Sequence, residues 1–322
     1  MANIVVEATG AAIPDATLKG YLAEGQRQNR CLYSQDFSNA AWVSGGGGIT
    51  VTTNTAVAPD GATTADTLTA PGANGTLIQD LGVVASAAKA GGMWLKRKTG
   101  TGNIDLTLDG GSTWTTVAVT SSWLLLEKTQ TLADEDFGIR IVTSGDAVYA
   151  WTAQVETAAF ISSPIPTTTA AVTRNADVLK YPDTSNISGT AGTAYAEASF
   201  TFLSILADYM VIGSGETNRY IIDIQNSTGV RFYDGTNIDD FTVPAISTNT
   251  TVKLGSRWAS VADVFSAGNK GATAGKPFDG NININGIGIG HTSSSNYIYG
   301  TIRNARIWSQ ALPDATLQSI TT

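Results

Sequence analysis

The sequence predicts an all-β protein: two β-sandwich (jelly-roll) domains in tandem, with a short N-terminal arm and a short C-terminal helix. Three observations support this prediction. Apolar and polar residues alternate over many short runs, which is the pattern of half-buried strands. Turn residues recur between the runs, as they do in sandwiches and jelly rolls. Charged residues make up only 14% of the chain, so Thr, Ser, Asn and Gly must supply the polar surface, a composition that favours sheet.

The length of 322 residues suits two domains of roughly 150 residues each. A polar stretch at 25–30 indicates a first boundary. Pro164, Pro166 and Pro182, together with a nearby Ser/Gly/Thr stretch, have the composition of a linker and indicate a second one. The expected segments are an arm at 1–30, a carbohydrate-binding-module-like jelly roll at 31–172, a linker at 173–190 and a second sandwich at 191–322.

The strand predictions rest on apolar residues two positions apart. These residues are Ile104, Leu106 and Leu108; Phe137, Ile139 and Ile141; Tyr149, Trp151, Ala153 and Val155; Ile282 and Ile284; and Ile287 and Ile289. Turn signals that contain Gly and Asp bound such runs at 109–111, 144–146 and 234–235. Each run is therefore expected to form a short antiparallel strand.

Helical signals are few, and the best one lies at the C-terminal end. Pro313 and Asp314 suit a first helical turn, and Leu317 and Ile320 share one helical face. A similar run at 13–18 predicts a short capped helix near the N-terminal end.

Charge and apolar content exclude two classes of partner. The formal net charge is −8, and nucleic acid binding needs clustered Lys and Arg. No apolar run approaches the ~18 residues of a membrane span, and the first residues lack a basic region and a long apolar region, so we expect neither membrane insertion nor a signal peptide. Cys31 is the single cysteine and is expected to be a small buried apolar residue.

The residues that carry catalytic chemistry are scarce, so we expect no enzyme and no cofactor. His291 is the only histidine and follows a predicted strand as a loop residue. One His and one Cys exclude a zinc site of ordinary ligand count. The run 134–136 is the densest acidic group and is interpreted as a solvated turn, not as a pair of catalytic carboxylates. Calcium is the one ion that loop Asp and Asn oxygens would allow.

The aromatic residues offer the only ligand-contact candidates. Seven Trp and ten Tyr are present, and most of these rings should be buried because each removes a large apolar area from water. Two loop-like segments are exceptions. Trp114 follows a Gly-Gly-Ser-Thr run, and Asn296, Tyr297 and Tyr299 follow a Ser-rich run.

Several motifs occur in an ordered series over residues 24–178. They are E-G-Q-R-Q-N at 24–29, Y-S-Q-D-F-S-N-A-A-W at 33–42, A-P-D-G-A-T-T-A-D-T-L at 58–68, V-Y-A-W-T-A-Q-V-E at 148–156, P-I-P-T at 164–167 and V-T-R-N-A-D at 172–177. In order and spacing the series resembles bacteriophage tail and virion structural proteins, in which it implies a jelly roll similar to carbohydrate-binding modules.

The second half resembles the concanavalin/laminin-G-like domain that often follows in such proteins. The matching residues are Y-G-T-I-R-N-A-R-I-W at 299–308 and L-P-D-A-T-L-Q at 312–318. Pro313 and Thr316 replace the Ser and Glu of the family pattern. These motifs mark fold and packing, so no ligand-binding residue is carried over from the family.

The resemblance implies a non-enzymatic virion protein, a tail fibre or appendage that projects its sandwiches toward host glycans or another host surface. It would assemble with other virion proteins in the host cytoplasm and leave by lysis. The arm would attach it to the particle, with the attachment candidates Ile4, Val5, Val6, Leu18 and Tyr21. The habit of the family implies a homo-oligomer, taken as a trimer, and several copies would turn weak contacts into avidity.

Three other functions stay open. One is a purely architectural head decoration, head fibre or collar protein without a ligand. Another is the binding module of a polysaccharide depolymerase. A bacterial adhesin is the third, and the absence of a signal-peptide pattern counts against it.

Overall fold

The structure is a computed structural model that describes residues 21–177, 180–181, 188–200, 207–212, 220–233, 238–271, 278, 287–289 and 298–322. Within this part the predicted all-β sandwich fold is confirmed. The chain forms two compact units. One unit is Gln26–Asn175, and the other joins residues 21–25 to the described residues of Ala176–Thr322.

In chain order, the strands up to the end of the first unit are β1 (Tyr21–Ala23), β2 (Arg27–Asn29), β3 (Val43–Gly46), β4 (Thr50–Ala56), β5 (Ala65–Thr69), β6 (Gly75–Thr99), β7 (Ile104–Thr107), β8 (Thr115–Val117), β9 (Leu124–Ile141), β10 (Ala147–Glu156) and β11 (Val172–Arg174). The next elements are β12 (Lys180–Tyr181), β13 (Gly192–Phe200), β14 (Ala207–Ile212), β15 (Tyr220–Asn226), β16 (Gly229–Tyr233), β17 (Ile238–Thr242), β18 (Thr251–Trp258), β19 (Ala262–Ser266), β20 (Asn269–Lys270), β21 (Ile287–Ile289), β22 (Gly300–Trp308) and the helix α1 (Asp314–Thr321).

Two long strands organise the unit Gln26–Asn175. Strands β6 and β9 pair from Gly75↔Ile141 to Leu95↔Leu124, with register shifts in the middle of the ladder. On one side of the shifts β6 and β9 are flanked by β3, β7 and β8, and on the other side by β10, β5 and β4. A Cβ atom at Gly91 would lie 2.5 Å from Leu108 Cδ2 and 2.7 Å from Phe137 Cδ2. The two halves of the curled sheet therefore face each other.

The core of this unit fills the space between the two halves. The fully buried alternating residues of β7 and β9 belong to it, as the sequence predicts. Cys31 is also buried there, which confirms its predicted role as a small apolar residue, and burial raises the pKa of its thiol. The buried members are Cys31, Phe37, Trp42, Ile49, Leu68, Ala70, Leu77, Met93, Leu95, Ile104, Leu106, Leu108, Phe137, Ile139, Ile141, Val148, Ala150, Ala153 and Val155.

The motif residues of this unit hold its backbone together. Phe37 and Trp42 pack with ring centroids 5.1 Å apart. The Asp66 carboxylate accepts hydrogen bonds from the backbone N–H groups of Phe37 and Asn54. Buried Asn29 donates to the carbonyls of Ala153 and Ile165 and accepts from two backbone N–H groups. Buried amides must be satisfied in this way, so these motif residues mark the fold.

The second unit is a sandwich of two antiparallel sheets. One has the strand order β1-β22-β13-β18-β19-β20, and the other has the order β12-β21-β14-β15-β16-β17. Its core combines side chains from both sheets, among them Trp258 of β18 and Phe232 of β16. Both rings are almost fully buried. The structural role that the sequence predicts for Trp258 is confirmed.

The segment expected to be an arm contributes strands to both units. Strand β1 pairs with β22 in the register Tyr21↔Ile302. Strand β2 pairs with β11 in the register Asn29↔Val172. The described end of this segment therefore forms part of two sheets. The attachment candidates Ile4, Val5, Val6 and Leu18, and the helix predicted at 13–18, lie outside the described residues.

The C-terminal helix is confirmed as α1, with Asp314 in its first turn. Leu317 is fully buried against Gly255, where a Cβ atom would lie 3.0 Å from Leu317 Cδ2. Asp314 pairs with Arg257 at 2.5 Å, and Arg257 also pairs with Asp263 at 2.6 Å. The helix is thus fixed to β18 and β19 by one apolar contact and one ion-pair network. No helix in the described part of the chain is long and apolar enough for a membrane crossing.

Candidate functional site

Four aromatic residues gather on the outer face of the first unit, and we call them the aromatic cluster: Trp94, Trp123, Tyr149 and Trp151. Trp151 on β10 lies directly opposite Trp94 on β6. Tyr149 lies two residues before Trp151 on the same face, while Val148 and Ala150 point to the main core. Trp123 precedes the first residue of β9.

A β-bulge in β10 changes the face of the sheet to which the side chains point: Trp151 lies on the outer face and Ala153 faces the core. The register with β6 shifts between Trp151 and Ala153, and Thr152 has a φ of 44°. The four residues Tyr149, Trp151, Ala153 and Val155 therefore do not share one face, although the sequence pattern suggests that they do. Ala153 and Val155 belong to the main core, whereas Trp151 packs in a separate outer cluster.

Two rings of the aromatic cluster, those of Trp123 and Tyr149, are direct neighbours. The centroids of Trp123 and Tyr149 are 6.5 Å apart, with ring planes at 45°. The Lys98 ammonium lies 5.3 Å from the Tyr149 ring centroid and 3.2 Å from Thr67 Oγ1. Trp94, Trp123 and Tyr149 are half-buried. Each of these three rings therefore keeps part of its surface available for contact.

The turn that contains the A-P-D-G motif packs against the aromatic cluster. Trp123 Nε1 donates a 3.0 Å hydrogen bond to the carbonyl of Val57, and Ala58 packs against Trp151. Trp151 is only 5% exposed, and its Nε1 has no hydrogen-bond partner among the described residues. Val57 itself is 57% exposed. The result is a partly open aromatic surface beside an apolar turn and a lysine.

Such a surface can bind a sugar ring by stacking. Half-exposed aromatic faces offer apolar area, and a flanking ammonium offers a hydrogen-bond donor. Because strands hold Trp94 and Tyr149, their positions are already fixed before binding. Reasoning from the sequence missed Trp94 and Trp123. The available signal was the bend at 121–122, which places Trp123 directly before the start of β9.

Trp114, a sequence-based ligand-contact candidate, is half-buried and packs on an arginine. The Arg140 guanidinium carbon lies 4.5 Å from the Trp114 ring centroid. Arg140 in turn donates to Asp105 Oδ2 at 2.6 and 2.9 Å. Trp114 is half-buried like Trp94, Trp123 and Tyr149, but it has no aromatic neighbour among the described ring contacts. Its role as a ligand contact stays a prediction.

The other candidates fall in the second unit. Asn296 and Tyr297 lie outside the described residues, as does the loop residue His291. Tyr299 is half-buried, directly before β22, with a φ of 43°. The structure therefore does not bring Tyr299 together with Trp114 in one unit, and Tyr299 stays a predicted ligand contact.

The acidic run 134–136 is not the solvated turn that the sequence suggests, because it lies within β9. Glu135 is fully buried and pairs with Arg30 and Lys89. Asp134 and Asp136 flank Glu135 in the sequence. A carboxylate oxygen of each lies within 4.8 Å of a carboxylate oxygen of Asp80. Burial, followed by the charges of Asp80 and Asp134, raises the pKa of Asp136. These three carboxylates form the one acidic group among the described residues whose spacing would suit a cation.

Comparisons with solved structures return distant likenesses. The chain is similar to the CBM40 domain of the IT-sialidase of Ruminococcus gnavus bound to α2,3-sialyllactose, with 17% identity, a TM-score of 0.36, and coverage of 43% of this chain and 86% of that one. It is similar to domains LG4-5 of the mouse laminin α1 chain, with 11% identity, a TM-score of 0.34, and coverage of 74% and 89%. It is also similar to the N-terminal CBM22-1–CBM22-2 tandem domain of Paenibacillus barcinonensis Xyn10C, with 12% identity, a TM-score of 0.30, and coverage of 88% and 99%.

No family model and no curated protein matches the sequence. With TM-scores this low, the structural likenesses carry no weight for a ligand or a partner. The class of the protein, an all-β chain of sandwich units, rests on its own strand pairing.

Proposed function

We propose that this chain is a non-enzymatic glycan-binding protein that acts as a tail fibre or appendage of a phage virion. The observation that carries the glycan part is the aromatic cluster, in which the Trp123 and Tyr149 rings are neighbours, Trp94 lies opposite Trp151, and Trp94, Trp123 and Tyr149 are half-exposed. The virion part rests on the series of motifs at 24–178 and its resemblance to phage structural proteins.

The binding free energy of one such contact is small, which suits a protein that acts in several copies. A sugar that covers ~100 Å² of aromatic surface gains about 2.5 kcal/mol before the costs of association, which alone is weaker than millimolar affinity. Copies of the chain held on one particle would convert these contacts into avidity. A homo-oligomer, taken as a trimer, and attachment through residues that include Tyr21 are parts of the same proposal.

A glycan array probed with the full chain tests the glycan part. We expect binding to host-surface oligosaccharides that falls about ten-fold or more in Trp123→Ala, because that substitution removes one stacking face. Trp114→Ala is the matched control, since it also deletes a half-buried Trp of the same unit. Circular dichroism should show that both variants stay folded.

Two results would contradict the proposal. An array without any bound glycan would exclude the glycan function in the range tested. Binding that is lost in Trp114→Ala and kept in Trp123→Ala would move the site from the aromatic cluster to the loop that the sequence singles out.

A purely architectural role in the virion is the second candidate. It is favoured by the packing of Trp114 on Arg140 and of Trp151 under the turn at Ala58, because these contacts give both rings a role in the packing of the fold. Density for the chain on a capsid or collar, together with an empty glycan array, would support this role against the first one.

A further inference from the structure

A polar cleft of about 340 Å³ lies beside the small sheet formed by β2 and β11 in the first unit. It shares no residue with the aromatic cluster. Its lining consists of two arginines, two glutamines and two threonines: Arg27, Arg30, Gln26, Gln28, Thr157 and Thr173. The lining is therefore made of hydrogen-bonding groups and cationic side chains.

The arginines face the cleft, whereas their carboxylate partners are hidden behind them. Arg27 Nε lies 3.2 Å from Glu156 Oε2, and Arg30 pairs with Glu135. The side chains of Arg27 and Arg30 keep 17% and 16% of their surface exposed, and both glutamate side chains keep 0%. Among the described lining residues, a ligand that enters the cleft thus meets cationic and not anionic side chains.

Two further cationic side chains, Arg174 and Lys89, lie next to these arginines. Arg174 on β11 lies directly opposite Arg27 on β2, and like charges in this register repel each other. Lys89 Nζ lies 2.5 Å from Glu135 Oε1, so Lys89 and Arg30 share one carboxylate. Lys89 and Arg174 thus add two cations to the surroundings of Arg27 and Arg30, in a chain whose formal net charge is −8.

We propose that this cleft binds the oxyanion group of an acidic sugar, a carboxylate or a sulfate. The guanidinium groups of Arg27 and Arg30 would donate to the anion in charge-assisted hydrogen bonds. The side chains of Gln28 and Thr173, which are hydrogen-bonded to each other at 3.2 Å, would contact hydroxyl groups of the sugar.

The arginines are held in place before a ligand arrives. Arg30 Nη2 donates to the carbonyl of Leu81 at 2.7 Å, and the Arg27 guanidinium carbon lies 5.3 Å from the centroid of the Phe160 ring. Side chains that are already fixed lose little rotamer freedom on binding, so a small anion can be bound with few contacts.

The full chain, titrated with galacturonate and with galactose in a calorimeter, tests this proposal. We expect galacturonate to bind and galactose not to bind, and we expect sulfate to displace galacturonate. Arg27→Gln should weaken galacturonate about ten-fold or more. Arg231→Gln is the matched control, because it removes a half-buried, ion-paired arginine from the other unit.

Two further variants keep the test decisive if Arg27→Gln fails to fold after Glu156 loses its cation. Arg27→Gln/Glu156→Gln removes the ion pair as a whole, and Thr173→Val changes only a lining hydroxyl. Both should stay folded by circular dichroism and bind galacturonate more weakly.

Equal binding of galacturonate and galactose, no binding of galacturonate at about 20 mM, or unchanged binding in the folded Arg27 variants would overturn the proposal. Sulfate binding without galacturonate binding would also overturn it, since the site would then take a free anion and not a sugar.

Discussion

At the scale of single residues, the surroundings of a side chain decide its role more than its own chemistry does. Trp114 sits in a Gly/Ser/Thr loop, as the sequence shows, but Arg140 reaches it from β9. Glu135 lies in an acidic run, but Arg30 and Lys89 surround it. These partners are distant in sequence, so local composition does not reveal them.

Asp136→Asn should stabilise the protein at neutral pH. Burial and the charges of Asp80 and Asp134 raise the pKa of Asp136 above its ordinary value of 3.8. A carboxyl group with a raised pKa contributes stability below its unfolded pKa and loses that contribution as the pH rises through the folded pKa. The free energy of unfolding of the variant should therefore rise by up to about 1 kcal/mol at pH 7. The value is small because solvent screens a partly exposed group.

Thermal unfolding at pH 7 and at pH values down to about 3 measures this effect. The advantage of Asp136→Asn should shrink toward zero as the pH falls below 3.8. Asp60→Asn is the control, because Asp60 is exposed and its amide would still accept the bond from the Ala62 N–H. A lower melting temperature for Asp136→Asn than for the unchanged chain at pH 7 would show that the carboxylate stabilises the fold.

At the scale of elements, a helix or strand could be predicted where its signals lie close together in the sequence. Helix α1 follows from Pro313, Asp314 and Leu317 within five residues, and β7 and β9 follow from their own alternation. The bulge in β10 depends on distant partners: the Ala153 N–H donates to the carbonyl of Ser34 at 2.8 Å. The aromatic cluster depends on that bulge, so the candidate site could not be predicted from the run 148–156 alone.

Leu317→Ala should destabilise the second unit by about 2–4 kcal/mol, because it leaves a cavity between α1 and Gly255. Urea unfolding, followed by hydrogen exchange of peptides from β18 and β19, measures this loss. Gln318→Ala is the control on the exposed side of the same helix and should change stability by less than about 0.5 kcal/mol. Equal effects of the two substitutions would mean that the helix does not pack as described.

At the scale of the whole molecule, the chain forms two units with separate cores. The length, turn composition and alternation were enough to predict an all-β chain of sandwiches. The pairing of β1 with β22 was not predictable, because Tyr21 and Ile302 come from nearly opposite ends of the sequence. The pairing partner of such an edge strand depends on the rest of the folded sheet, so the sequence near the strand does not indicate it.

The central claim is that glycans bind to the aromatic cluster of the first unit, and the indole N–H signals of the full chain test it most directly. The seven tryptophans give separate signals that single Trp→Phe variants assign. Trp42 and Trp258 serve as internal references, since their indole groups are bonded to the carbonyls of Tyr33 and Ser188.

Titration with the neutral oligosaccharide that binds best on the array should shift the signals of Trp94 and Trp123 and leave those of Trp42 and Trp258 in place. Glycan binding at the aromatic cluster is contradicted if no indole signal moves, or if the shifts occur at Trp114 or in the second unit while the signals of the aromatic cluster stay unchanged.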